Sequence, residues 1–220
     1  KKGVMQKIFN QEIRFKPAQS EVEGDDNGNE FPNWEEKKLG SLCLKAQSGG
    51  TPKSTNKNYY NGNIPFLSIS DMTLQGKYLT KTKKSISQLG IDNSSSWLVP
   101  KNSLIYSMYA SVGFVSINRI DIATSQAVMN IILKKNINLV YIYYFLLDFQ
   151  KNIKQFIETG TQGNINASIV KGFKVLTPCL EEQTKIANFL SDIDVKIEAL
   201  NTKIENSKTF KKGLLQQLFV

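Results

Sequence analysis

The sequence predicts an α+β protein: a mixed, β-rich globular block over residues 31–180, followed by one long helix over 181–220 that can form a coiled coil. Three observations carry this. Short β-branched or aromatic runs bounded by Gly, Pro, Asn or Ser recur through the middle of the chain. A heptad pattern with no proline fills the last forty residues. A polar, acidic stretch separates the first residues from the rest.

In chain order, Ser20–Glu30 (SEVEGDDNGNE) is almost devoid of apolar residues and reads as part of a linker over 16–30. Phe31, Pro32 and Trp34 open the block. Strands are expected at Ile64–Ile69, Leu104–Met108, Val112–Ile117, Val128–Leu133 and Phe173–Leu176, with the second and third forming a hairpin around Tyr109-Ala110-Ser111. From Leu139 to Ile157 apolar residues persist and then thin to helical spacing, until Gly160 and Gly163 stop them. The aromatics there (Tyr141, Tyr143, Tyr144, Phe145) are expected in the core.

The final segment steps by four and three residues through Ile186, Leu190, Ile193, Ile197, Leu200, Ile204, Ser207, Lys211, Leu214 and Leu218, and eight of these ten positions are apolar. A seam sustained this long favours a coiled coil over a surface helix, and forty residues at about 1.5 Å each would reach roughly 60 Å. The ends of the chain also match each other. Lys1–Phe9 (KKGVMQKIF) and Lys211–Phe219 (KKGLLQQLF) share five of nine residues, and three of the others are aliphatic exchanges. A duplicated unit accounts for this, with residues 1–15 as the end of a preceding long helix and the chain as one half of a two-fold repeat.

The chain has 28 Lys+Arg against 19 Asp+Glu, a net charge of +9, with 40% hydrophobic residues and no histidine. The whole excess falls in residues 31–180, which carry 17 basic and 7 acidic side chains. That block should therefore feel an anionic partner. Absence of histidine excludes imidazole-based nucleophile activation and imidazole metal ligation. Cys43 and Cys179 lie far apart, which argues against zinc and reads as two reduced thiols in a cytoplasmic protein. The longest apolar run, Leu139–Leu147, is too short for a membrane span of about 20 residues. No leader precedes a cleavage site and Lys1 is not an initiator Met, so the chain reads as part of a longer soluble protein.

Catalytic motifs are not found. Asp71–Tyr78 (DMTLQGKY) lacks the first glycine and the hydroxyl residue of a phosphate-binding loop, and neither GxGxxG nor GxSxG occurs. Glu35-Glu36 and Glu181-Glu182 read as helix-start charges. What remains are loops rich in Gly, amides, hydroxyls and lysines: Ser48–Tyr60 (SGGTPKSTNKNYY), Lys77–Lys84 (KYLTKTKK) and Gly160–Asn166 (GTQGNIN). Such residues suit phosphate contact and base-edge readout. The competing reading is a coiled-coil scaffold or interaction module whose basic domain binds a partner other than DNA. Loop chemistry separates the two, because a scaffold has no need of clustered Asn, Gln, Lys and Tyr.

Several stretches together resemble one family. They are Phe31-Pro32-x-Trp34 with Leu39-Gly40, Ser48-Gly49-Gly50-Thr51-Pro52, Tyr59-Tyr60-x-Gly62-x-Ile64-Pro65-Phe66, Thr124-Ser125-Gln126, Gly160-Thr161-Gln162-x-Asn164-Ile165-Asn166, and Pro178-Cys179-Leu180-Glu181-Glu182-Gln183 with Ile186-Ala187. In this order they resemble the DNA-specificity subunits of type I restriction–modification systems, over essentially 31–220. Tyr60 stands where Trp is common, and Cys179 where a second Pro is common. The resemblance implies a non-catalytic subunit whose target-recognition domain (31–180) reads one half of a bipartite double-stranded DNA site. It implies that the helices act as a ruler and dock methyltransferase subunits, to which restriction subunits are added. S-adenosylmethionine, ATP and Mg are then expected on those partner subunits, with no cofactor in this chain. The expected DNA contacts are Thr51, Lys53, Lys57, Tyr59, Lys77, Lys81, Tyr109, Gln126, Gln162 and Asn164. The expected helix interface is Ile186, Leu190, Ile193, Ile197, Leu200, Ile204, Leu214 and Leu218. An uncovered stripe of that length should pair two copies of the chain as an antiparallel homodimer.

Overall fold

The computed structural model describes residues 1–17, 30–157 and 163–218. Helix α1 (Lys2–Phe9) comes first; the chain then turns at Gln11, and helix does not extend to residue 15. Strand β1 (Glu35–Lys38) opens the block and pairs antiparallel with β10 (Lys174–Thr177), which closes it, in the register Glu35↔Thr177 to Lys38↔Lys174. The two ends of the domain are thus tied together just before the last helix. Glu35 and Glu36 sit in this strand and not at a helix start. Their neighbours Lys37 and Lys174 lie 2.7 and 2.9 Å away, so the exposed pair balances its own charge.

Between β1 and β10 the chain forms β2 (Cys43–Ser48), β3 (Tyr60–Leu67), α2 (Ile69–Gln75), β4 (Tyr78–Leu79), β5 (Lys84–Ile86), α3 (Gln88–Asp92), β6 (Leu104–Ser107), β7 (Val115–Asn118), β8 (Ala123–Thr124), β9 (Val128–Leu133), α4 (Leu139–Phe149) and α5 (Ala167–Gly172). One sheet has the order β2-β9-β6-β7-β4, antiparallel except for β4 beside β7. A second has the order β5-β3-β8. The expected strand at Ile64–Ile69 begins four residues earlier and ends at Leu67, because Ser68 and Asp71 form a reciprocal capping box that starts α2. The expected pairing of β6 with β7 is present, with a longer loop over 108–114. The helical stretch from Leu139 is regular only to Phe149 and tightens to 3₁₀ geometry over Gln150–Phe156.

Alternation along the strands sorts the five-stranded sheet into two faces. Leu104, Tyr106, Val115, Ile117, Met129 and Ile131 face a large core shared with α1, α4 and the start of the last helix. Ile105 and Val128 face a smaller core with Leu67, Met72, Leu79, Val99 and Ile122. All four tyrosine and phenylalanine positions expected in the core of α4 are buried, and Phe9 of α1 lies on Tyr141 and Phe145 with ring centroids 5.8 and 5.6 Å apart.

Helix α6 (Leu180–Leu218) is a single element of 39 residues. Its seam divides in two. Ile186 and Leu190 are fully buried in the domain core, with Ile193 packed against it. Ile197, Leu200, Ile204 and Leu214 are exposed, and the Leu218 side chain lies outside the described residues. The junction is strongly bonded. Glu182, fully buried, accepts from Arg14 Nε (2.8 Å), Arg14 Nη2 (2.9 Å) and Trp34 Nε1 (2.9 Å). Gln183 accepts from Asn138 N and donates to the Pro178 carbonyl, both at 2.8 Å. The Phe-Pro-x-Trp and Leu-Glu-Glu-Gln stretches therefore meet at one buried carboxylate. Among the described residues no helix is long and apolar enough to cross a membrane.

Candidate nucleic-acid interface

Antiparallel pairing in the five-stranded sheet places the end of β2, the start of β9, the end of β6 and the start of β7 on one edge. The loops that leave this edge are joined by backbone hydrogen bonds. Gly50 N donates to the Thr124 carbonyl (2.9 Å), Met108 N to the Ala127 carbonyl (2.9 Å), and Ile165 N to the Met108 carbonyl (3.1 Å). Segments 48–59, 108–114, 124–128 and 163–166 thus form a continuous rim. Its sequence contains Lys53 and Lys57 and no carboxylate, so the rim is positive without internal neutralisation.

Two glycines make this junction possible. A Cβ on Gly49 would lie 2.0 Å from the Thr124 carbonyl oxygen, and one on Gly50 would lie 2.1 Å from Ser95 Oγ and 2.6 Å from backbone atoms of Ser95 and Ser96. The loop after β2 can approach β8 and the 94–96 turn only without side chains at these positions. Beneath it, Thr124 Oγ1 and Asn130 are buried and bonded to each other, with Asn130 Nδ2 donating to Thr124 Oγ1 at 2.8 Å. Farther along the same loop, Tyr60 OH donates to the Pro52 carbonyl (2.6 Å) and Ser87 Oγ to the Asn58 carbonyl (2.6 Å). On the β6–β7 side, Ser107 Oγ donates to the Tyr109 carbonyl (2.8 Å), and Ala110 and Ser111 take positive φ.

The structure brings together most of the residues expected to contact DNA. Thr51, Lys53, Lys57, Tyr109 and Gln126 are exposed on the rim, and Tyr59 and Asn164 are half-buried there. Thr51 Oγ1 donates to Gln126 Oε1 at 2.8 Å across 75 residues of sequence. Asn166, beside Asn164, caps α5 by accepting from Ile169 N.

Two expected contacts stand elsewhere. Lys77 points inward to the α4–α6 junction, where its Nζ donates to Tyr144 OH (2.6 Å) and lies 3.5 Å from Asp194. Lys1 also pairs with Asp194, and Tyr144 OH donates to it at 2.6 Å. Burial pushes the Asp194 carboxyl up, but the hydrogen bonds from Lys1 and Tyr144 and the charges of Lys1 and Lys77 outweigh it and leave it below its ordinary value. Lys81 follows β4, whose parallel pairing with β7 carries it past Asn118, to the opposite edge of the five-stranded sheet. Gln162 lies outside the described residues.

Sequence reasoning missed Ser95, an exposed hydroxyl against Gly50, although the Ser94–Ser96 run was a visible turn signal. It also missed Lys45, whose Nζ lies 3.6 Å from the Trp97 ring centroid beside the rim. Nothing in the sequence pairs those two residues. Among the described residues no three His, Cys, Asp or Glu side chains are grouped as metal ligands.

Comparison with known proteins bears on this arrangement. The family model described as the type I restriction modification DNA specificity domain matches residues 32–207. The MjaIX specificity subunit of a type I restriction enzyme from Methanocaldococcus jannaschii is 28% identical over 193 residues, covering 86% of this chain and 44% of that protein. The HindI specificity subunit from Haemophilus influenzae is 29% identical over 182 residues, covering 80% and 38%. The HsdS subunit from Thermoanaerobacter tengcongensis shares the fold at TM-score 0.62 and 17% identity, covering 91% of this chain and 46% of that one. A chain from the type I R-M system, solved in a study of complex assembly and conformational transition, has TM-score 0.67 at 17% identity and covers 97% and 50%. The chain spans about half the length of the relatives it matches or less. With four-fifths of its length inside the family match and the family's elements arranged around one rim and one helix, the chain belongs to the type I restriction modification DNA specificity domain family.

Proposed function

We propose that this chain is a non-catalytic DNA-reading subunit, or half-subunit, of a type I restriction–modification complex, and that its rim reads one half of a bipartite site. The observation that carries the proposal is the acid-free rim itself, on which Thr51, Lys53, Lys57, Tyr109 and Gln126 converge from separate loops. Lysines on the rim and the excess charge of the block supply salt-sensitive attraction to phosphates. The amides and hydroxyls supply discrimination, about 1–3 kcal/mol for each good bidentate pair with a base edge.

The exposed half of α6 is the docking element. Ile197, Leu200, Ile204 and Leu214 leave an apolar stripe that suits pairing with a second helix, either from methyltransferase subunits or from another copy of this chain. Two copies joined antiparallel would present two rims and read an inverted pair of half-sites. S-adenosylmethionine, ATP and Mg act on the methyltransferase and restriction subunits, and the complex works in the cytoplasm.

The test mixes the chain with its cognate methyltransferase subunit and a pool of randomised duplexes, and sequences what is retained at two salt concentrations. Enrichment of a short motif, above all an inverted pair at fixed spacing, supports base readout and the dimer together. Retention without a motif that vanishes as salt rises sinks the proposal and leaves a scaffold with a basic surface. Light scattering at tens of micromolar checks the dimer separately, and a monomer there removes it.

A further inference from the structure

We infer that Gln126 reads a guanine in the major groove, and that Thr51 is its positioning residue and not a second, separate contact. This rests on the proposed DNA-reading function and assigns that function to one pair of side chains.

A glutamine amide is ambiguous by nature, because either its carbonyl or its NH₂ can face a base. In the structure the amide stands with its carbonyl toward Thr51. Thr51 Oγ1 donates to Gln126 Oε1 at 2.8 Å, which turns the carbonyl toward the loop after β2 and the two N–H groups of Nε2 outward. Among the described residues nothing accepts from Nε2, and Gln126 is exposed. The pair does not meet by chance of two mobile side chains. Gly50 N bonds the Thr124 carbonyl at 2.9 Å, the absence of a Cβ at Gly49 lets the same loop sit on Thr124, and Thr124 is itself held by buried Asn130. Both side chains therefore leave one fixed backbone junction.

An outward NH₂ group with its carbonyl engaged offers donors only. In the major groove guanine presents two adjacent acceptors, N7 and O6. Adenine sets an amino donor beside N7 and needs the carbonyl that Thr51 holds, cytosine presents a donor, and thymine presents a single acceptor, O4, beside its methyl group. Guanine is the match, because it alone offers an acceptor to each of the two N–H groups.

The selection from randomised duplexes described above tests this with four variants of the full chain, each mixed with the methyltransferase subunit. Gln126→Ala should erase a guanine preference of about 10-fold at one position, leaving the other positions and the salt dependence as they were. Gln126→Glu, which can only accept, should move that position toward cytosine. Thr51→Val should blur the same position, and Thr51→Ser should restore it. Thermal melts of all four should match the parent, since both side chains are exposed. A parent motif that Gln126→Ala leaves intact, or a lost base other than guanine, overturns the assignment while the DNA-reading function stands. So does a Thr51→Val protein with an unchanged motif. A parent chain without any motif sinks both.

Discussion

Truncating Arg14 tests how the chain start, the domain and the long helix are joined. Glu182 has no exposed side-chain surface and holds three donors, two from Arg14 and one from Trp34. In Arg14→Ala only the Trp34 indole remains, so a buried carboxylate loses its countercharge. Breaking a fully buried pair costs about 3–5 kcal/mol. Arg14 keeps 28% of its side chain exposed, so water partly replaces it, and the expected loss falls to about 2–3 kcal/mol. For a domain of this size, with a urea slope of about 2–3 kcal/mol per molar, the midpoint should drop by roughly 1 M. Glu182→Gln in the Arg14→Ala background removes the stranded charge while keeping an acceptor for Trp34, and should recover most of that loss. Urea melts followed by tryptophan fluorescence measure both. A shift under about 0.5 kcal/mol for Arg14→Ala, or no recovery in the double variant, would refute the reading of Glu182 as the buried centre of the junction.

Lys53→Ala and Lys57→Ala should each weaken DNA binding evenly across sequences and lower the salt slope by about one unit, whereas Lys77→Ala should lower stability and leave the slope alone; filter binding across a salt series separates them. The Asp194 carboxyl titrates below its unfolded value, so its contribution is fully present above about pH 4 and is lost as pH falls through the depressed value. Asp194→Asn should accordingly narrow the gap to the parent in acid melts, and an unchanged gap down to pH 2 would count against the network. Burial pushes the Cys43 thiol up to about 11, against smaller opposing effects of Lys171 and Lys134, and its Sγ donates to the Leu39 carbonyl. In a Cys179→Ser protein at pH 8, maleimide labelling of Cys43 should be absent in buffer and complete in denaturant, as read by intact mass.

Legibility in the sequence followed how local the cause was. Val128–Leu133 is a strand with the expected bounds because five of its six residues are apolar and both ends carry turn chemistry. Strand β1 reads Glu-Glu-Lys-Lys and has all four residues exposed, so its extended form comes from pairing with β10, some 140 residues away, and no local pattern announces it. Lys77 looked like its lysine-rich neighbours because composition records charge and not direction. Its partners Tyr144 and Asp194 lie 67 and 117 residues along the chain. The rim shows the same division. Each polar loop was readable alone, and the Thr51–Gln126 bond was not, since it exists only because β2 and β9 are neighbours in the sheet.

The heptad seam of α6 carries the most consequential case. Its four-and-three spacing continues from Ile186, yet the first turns are buried in the domain core and the later ones leave their apolar residues exposed. Four attachments fix that proximal half: the Arg14–Glu182–Trp34 cluster, the Asn138–Gln183 bond, the buried Ile186 and Leu190, and Asp194 held by Lys1 and Tyr144 with Lys77 beside it. These come from Lys1 and Arg14 on either side of α1, from Trp34 at the start of the block, from α4 with its cap residue Asn138, and from Lys77 just before β4. A helix held by these four attachments over its first turns leaves the domain in one direction, and its distal half inherits that direction without a hinge, since no proline or 3₁₀ segment interrupts it. In the proposed pairing of two copies, the separation between the rims is set by where the distal stripes lock together. The residues proposed to read bases lie on the rim loops and not on this helix, so the two properties can be changed by different residues.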